Sequence, residues 1–151
     1  MLTGVMNRNE MNNFVDSLSS GEFGEKQSVG VIFADLNGLK MINDQKGHTE
    51  GDKLLKKAAE VLKQVFITED IYRAGGDEFV IIAENVSKEN FDSKVKKLRE
   101  IATVNSEVSF AVGAYFTDTD IDIRNSMRMA DELMYKDKEE YYEIYPDRRY
   151  R

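Results

Sequence analysis

No cysteine occurs in the chain, and it has one proline, one histidine and no long apolar run. Without cysteine there is no disulfide scaffold, no thiolate metal site and no thiol nucleophile, which fits a reducing compartment. No stretch of about 18 apolar residues and no signal-peptide pattern is present, so a cytoplasmic location is expected. Basic residues are also short: 21 Lys and Arg face 28 Asp and Glu, a net charge of -7 over 151 residues. That balance repels nucleic-acid phosphates and anionic membranes, so neither is expected as a partner. The one basic cluster evident in the sequence is a C-terminal tail holding Arg148, Arg149 and Arg151.

What is present is a 17.3 kDa chain with 41% hydrophobic residues, enough for one domain with a single core. Apolar spacing predicts a helix near Asn7 to Leu18, carrying Met11, Phe14 and Val15. The segment SSGEFGEKQS reads as a loop. VGVIFAD, 29–35, is a continuous apolar run ending in an acid, the pattern of a strand buried on both faces. A helix is expected over 50–66, with Thr49 as its N-cap and Asp52 in its first turn. Strands near 70–74 and 78–84 form a hairpin about Gly75 and Gly76. Ser87 caps a helix bearing Phe91, Val95 and Leu98; VSFAVGAYF, 108–116, is a strand; a last helix spans about 122–142. The central βαββαβ order predicts a ferredoxin-like α/β sandwich, a single sheet whose βαββαβ helices pack on one face.

In this topology Asp35, ending the first strand, lies beside the turn bearing Asp77 and Glu78. A polar hairpin tip alone would explain the turn, but not an acid closing an apolar strand. Three carboxylates together repel one another unless a divalent cation neutralises them, and oxygen ligands favour Mg²⁺ or Mn²⁺. Gly75 and Gly76 are expected to adopt positive φ and to let a ligand approach the backbone. Gly38 and Leu39 sit where the strand passes into a helical turn, so their N–H groups suit phosphate oxygens, and Asn43 with Asp52 suits the N1 and N2 edge of guanine. His48 reads as a polar loop residue. The acidic runs from Asp35 and Asp118 are not calcium loops, since the sixth and twelfth positions hold Lys40 and Lys46, and Ile123 and Met129.

With these residues assembled, the chain resembles the GGDEF domain, the catalytic domain of bacterial diguanylate cyclases, which share a fold with nucleotide cyclases and polymerase palm domains. The likeness runs from Leu2-Thr3-Gly4 through Asp35 to Lys40, Asn43-Asp44, Gly47-His48, Gly51-Asp52 and Gly75 to Phe79, ending at Ala130-Asp131-Glu132-Leu133-Met134-Tyr135. It implies a catalytic core of about 1–142 with a tail over 143–151, cut from a longer signalling protein whose sensor or dimerisation module is missing. It also implies that two GTP are joined into cyclic di-GMP across a homodimer, with metal held by Asp35, Glu78 and the Leu36 carbonyl. Gly38, Leu39 and Lys40 would contact phosphates, Asn43 and Asp52 guanine, and Gly76 the substrate. Lys138 would bind phosphate, and either Asp77 or a metal-bound hydroxide would accept the proton.

Two departures stand out. Tyr142 replaces a frequent Arg of the family, with Arg148 or Arg149 as possible substitutes. Phe66-Ile67-Thr68-Glu69-Asp70 lacks the Arg of the family's Arg-x-x-Asp product-inhibition site, so feedback through that site is not expected. The alternative to a cyclase is a GTP-binding regulatory module with little or no turnover; a purely structural interaction domain leaves the acids unexplained.

Overall fold

The first turn of α1 (Arg8–Ser19) is locked by a capping box. The Asn7 side chain accepts from the Glu10 N–H at 2.9 Å, and the Glu10 carboxylate accepts from the Asn7 N–H at 3.1 Å. The computed structural model describes residues 4–20, 27–67, 69–103 and 108–146. Residues 21–26 of the expected loop, Leu2 and Thr3 of the first motif, Thr68, and the three arginines of the tail lie outside the described residues. The remaining elements are β1 (Val29–Leu36), α2 (Leu39–Lys46), α3 (His48–Val65), β2 (Asp70–Arg73), β3 (Glu78–Glu84), α4 (Lys88–Thr103), β4 (Phe110–Thr117) and α5 (Ile123–Ile144). Ser87 begins α4 as expected, its hydroxyl accepting from the Asn90 N–H at 3.1 Å.

One expectation fails at 39–52. The chain forms a separate helix, α2, and then turns directly into α3 through Gly47 at φ 88°, which ends one helix and starts the next. Thr49 is therefore inside α3 and not its cap, and Asp52 is the fifth helical residue, beyond the first turn. The sharp bend needs a residue without a Cβ, so no side-chain cap forms there.

The four strands make one antiparallel sheet in the order β2-β3-β1-β4. Strand alternation divides its side chains between two cores. Ile32, Ala34, Leu36, Phe79, Ile81 and Val112 pack with Leu55 and Leu62 of α3 and Leu98 of α4. Val31, Phe33, Val80 and Ala111 pack with Met11 and Val15 of α1 and Ala130 and Met134 of α5. The two helices of the βαββαβ unit do share one face, and α1 and α5 cover the other.

Each edge strand has part of its outer backbone engaged, β2 at Ile71 and Arg73 and β4 at Val112. Met6 straps β2, donating to the Ile71 carbonyl at 3.1 Å and accepting from the Arg73 N–H at 2.8 Å. On β4 the Val112 N–H donates to Asp137 of α5 at 2.7 Å, and Arg99 of α4 approaches Asp137 at 3.8 Å. Gly113 sets the depth of α5: a Cβ there would lie 2.1 Å from the Ala130 carbonyl oxygen and 2.2 Å from the Met134 nitrogen. With the helix backbone directly on β4, the next turn of α5 carries Lys138 over the end of β1.

Candidate active site

Asp35 is the last residue but one of β1 and stands opposite Glu78, the first residue of β3. Paired residues on adjacent strands point to the same face, here the α1 and α5 side. The turn between β2 and β3 is tied to β1 by the Leu36 N–H, which donates to the Asp77 carbonyl at 2.7 Å. Arg73 closes the turn from within, donating to the carbonyls of Gly75 at 3.2 Å and Gly76 at 2.8 Å. Across from it, Arg8 donates to the Ala74 carbonyl at 3.0 Å. The turn is thus held by guanidinium groups, and neither Gly75 nor Gly76 has positive φ, contrary to expectation. The left-handed glycine of the site is Gly38, at φ 79°, which precedes α2. Gly76 is exposed, with nothing within 4 Å of where a Cβ would sit, so its lack of a side chain leaves the approach to the turn open.

Asp35 is only 4% exposed. Its Oδ2 accepts from the Lys138 ammonium at 2.9 Å, while Oδ1 is buried with no hydrogen-bond partner. Burial pushes the Asp35 carboxyl up to about 7; the Lys138 hydrogen bond opposes this and the Asp77 charge adds to it. Glu78 is raised too, first by burial and then by the charges of Asp131 and Asp77. Burial works against the Lys138 ammonium, but Asp35 and, beyond it, Asp77 outweigh it and hold its pKa above the ordinary lysine value. Two cations, Arg8 toward Glu78 and Lys138 toward Asp35, offset the carboxylates of the site.

Beside these groups lies a cleft of about 300 Å³ lined by Leu36, Gly38, Lys40, Asp77, Lys138 and Tyr142, among others. Gly38, the residue that opens α2 at its rim, supplies no side-chain cap to that helix. Of the expected site residues, Leu36, the segment 38–40, Asp77 and Lys138 line this cleft, while Asp35, bonded to Lys138, and Glu78, paired with Asp35, are not part of its wall. Asn43 and Asp52 do not line it: the Asn43 amide lies over Gly51, in space that a Cβ would fill, and Asp52 is exposed on α3. Among the described residues no group of three or more His, Asp or Glu side chains is placed to hold a metal ion. What the site does offer a cation is two carboxylates on one face and the orphaned Oδ1 of Asp35. Sequence reasoning assigned no role to Arg73 or to Asp131, because neither the carbonyl acceptors of one nor the electrostatic neighbour of the other is visible in residue order.

The family model described as "Diguanylate cyclase, GGDEF domain" matches residues 1–142. The chain belongs to the GGDEF family. Among solved structures, the GGDEF domain of FimX from Pseudomonas aeruginosa superposes with a TM-score of 0.80 at 16% identity, covering 92% of each chain. The active GGEEF domain of a diguanylate cyclase from Vibrio cholerae gives 0.75 at 26% identity, over 90% of this chain and 92% of that one. The GGDEF domain of DgcB from Caulobacter crescentus, solved in complex with c-di-GMP, gives 0.77 at 21% identity, over 92% and 88%. The expected fold is therefore correct, and the domain is homologous to diguanylate cyclases. A curated relative, an uncharacterized membrane protein of Staphylococcus aureus, is 33% identical over 131 residues, covering 79% of this chain and 36% of that protein. The GGDEF chain thus spans about a third of the curated relatives it matches. Among its described residues no helix is long and apolar enough to cross a membrane.

Proposed function

We propose that this GGDEF domain condenses two GTP into cyclic di-GMP and two pyrophosphates, each domain of a dimer holding one GTP. The observation that carries this is the pairing of Asp35 with Glu78 on one sheet face, beside Asp77 and a cleft framed by the α2 N-terminus and Lys138. Asp35 and Glu78, with the Leu36 carbonyl, would hold Mg²⁺ or Mn²⁺; two protein carboxylates suffice where substrate phosphates complete the coordination. Such an ion supplies charge neutralisation at the phosphates and acidifies the attacking hydroxyl.

The chain's own residues do the rest. The N–H groups of Gly38 and Leu39 and the ammonium of Lys40 receive the triphosphate. Lys138 lines the cleft and bonds Asp35, so it can exchange its carboxylate partner for a phosphate oxygen. Asn43 and Asp52 read guanine after the Asn43 amide leaves Gly51. In each half-reaction the 3′-oxygen of one GTP forms a bond to the α-phosphorus of the other, the bond to pyrophosphate breaks, and Asp77 takes the proton. Two such steps across an antiparallel dimer close the ring.

A second reading, a GTP-binding module that does not turn over, is favoured by Lys138 occupying Asp35 and by Tyr142 on the cleft wall where an Arg would bind phosphate. Glu78→Gln separates the two. Under the cyclase reading it lowers product formation by about a thousandfold or more, as expected when charge stabilisation at the reacting phosphate is removed. Wild-type protein that binds GTP and forms no product, with Glu78→Gln binding it equally well, would select the second reading.

A further inference from the structure

A second cavity, of about 640 Å³, opens on the other side of α2, between that helix, α3 and the start of β4. None of Asp35, Asn43, Asp52, Asp77, Glu78 or Lys138 lines it, so it is not the cleft described above, although the two share Gly38 and Met41. Lys46 of α2 and Lys53 and Lys57, one turn apart on α3, line it. The single carboxylate among them, Glu50, is engaged by Lys53 at 3.2 Å. Among the residues that line this cavity, lysine outnumbers carboxylate three to one, in a chain of net charge -7.

A second feature is independent of charge. Asn37 lies at the cavity floor and is 7% exposed; its Nδ2 donates to the Ser109 hydroxyl at 3.1 Å, but its Oδ1 has no partner. Whichever way the amide is turned, one of its ends is left unsatisfied, and a buried polar group in that state asks for a partner. Apolar lining comes from Met41, Ile42 and Leu54 with the ring of Tyr141, which also meets the rings of Tyr142 and Tyr145. A buried amide, apolar lining with an aromatic ring and three lysines together match a flat heterocycle bearing a phosphate chain.

We infer that this cavity is a nucleoside phosphate site separate from the substrate cleft, with the base on Tyr141 and Asn37 and the phosphates on Lys46, Lys53 and Lys57. Because it borders Gly38, its occupancy bears directly on the start of α2. The inference does not depend on the cyclase reading.

The test is a titration of the isotopically labelled 151-residue chain with ADP in EDTA, followed by amide chemical shifts. The expected result is shifts at Lys46, Lys53, Ser109 and the Asn37 side-chain amide, with affinity lowered about tenfold in Lys53→Glu, equivalent to about 1.4 kcal/mol. Lys46→Glu, also at an exposed position, should weaken binding comparably. Shifts confined to 38–40 and Asp77, absence of shifts, or affinity unchanged by both substitutions would overturn the site. Adenosine or inorganic phosphate binding as tightly as ADP would overturn the assignment of its ligand.

Discussion

Asp35 and its two neighbours on β1 sit within one short stretch of the same strand, yet they do opposite work. Ala34 and Leu36 point into the core beneath α3 and α4, where they meet Phe79 and Phe110 and are sealed from water. Asp35 points to the α1 and α5 side, where Val31 and Phe33 are equally buried but the strand end carries a carboxylate short of partners. The difference lies in what closes each layer. One face is filled by apolar side chains to the end of the strand, and the other gives its last position to charge. That charge is tolerated because α5 lies close enough to lend Lys138. The comparison teaches that the site is built at the expense of packing on one face only, with the other face holding the sheet.

The sharpest way to break this arrangement is to lift α5. Gly113→Ala drives a methyl into the α5 backbone, and is expected to cost about 3 kcal/mol or more in denaturant unfolding. It should also displace Lys138 from Asp35. Removing the lysine alone is milder: Lys138→Met leaves Asp35 buried without its cation, which should cost about 1–3 kcal/mol at pH 8, less than for a fully buried pair because Lys138 keeps some exposure.

The pH dependence follows from the same carboxyl. Asp35 has an ordinary value of 3.8 and is held at about 7 in the fold, so between those limits the folded chain binds more protons than the unfolded one. Its contribution to stability is fully present below pH 3.8 and is lost as pH rises through about 7. The midpoint of urea unfolding in EDTA should therefore carry a declining component between those values, and Asp35→Asn should remove it. An identical pH profile in the two proteins would show that Asp35 is not held protonated. The smallest effect is expected at the open turn: Gly76→Ala meets no atom within 4 Å and should change stability by less than about 0.5 kcal/mol, while impeding whatever docks there.

Much of this was legible in residue order, for reasons specific to each element. β1 is buried on both faces, so its apolar run is unbroken and its terminal acid is conspicuous. The hairpin is marked by two glycines between β-branched and aromatic runs. By contrast, α2 is an eight-residue helix of largely polar sequence, LKMINDQK, whose period is too short to register, and its end depends on the backbone of Gly47. Positive φ was assigned to Gly75 and Gly76 because glycine permits it; Arg73 instead fixes the turn through two carbonyls. Asp35 and Lys138 were both singled out in residue order, but their contact across 103 positions is a product of the depth at which α5 packs on Gly113. The lysines at 46, 53 and 57 look like ordinary solvated charges until two helices bring them to one cavity.

The central claim is tested most directly by incubating the chain with GTP and Mg²⁺ or Mn²⁺ over a wide range of protein concentration and measuring cyclic di-GMP by mass spectrometry. A diguanylate cyclase assembled from two half-sites gives product at a rate that rises more steeply than linearly with protein. GTP that binds yet remains intact at the highest concentration, and in a covalently forced dimer, would contradict it.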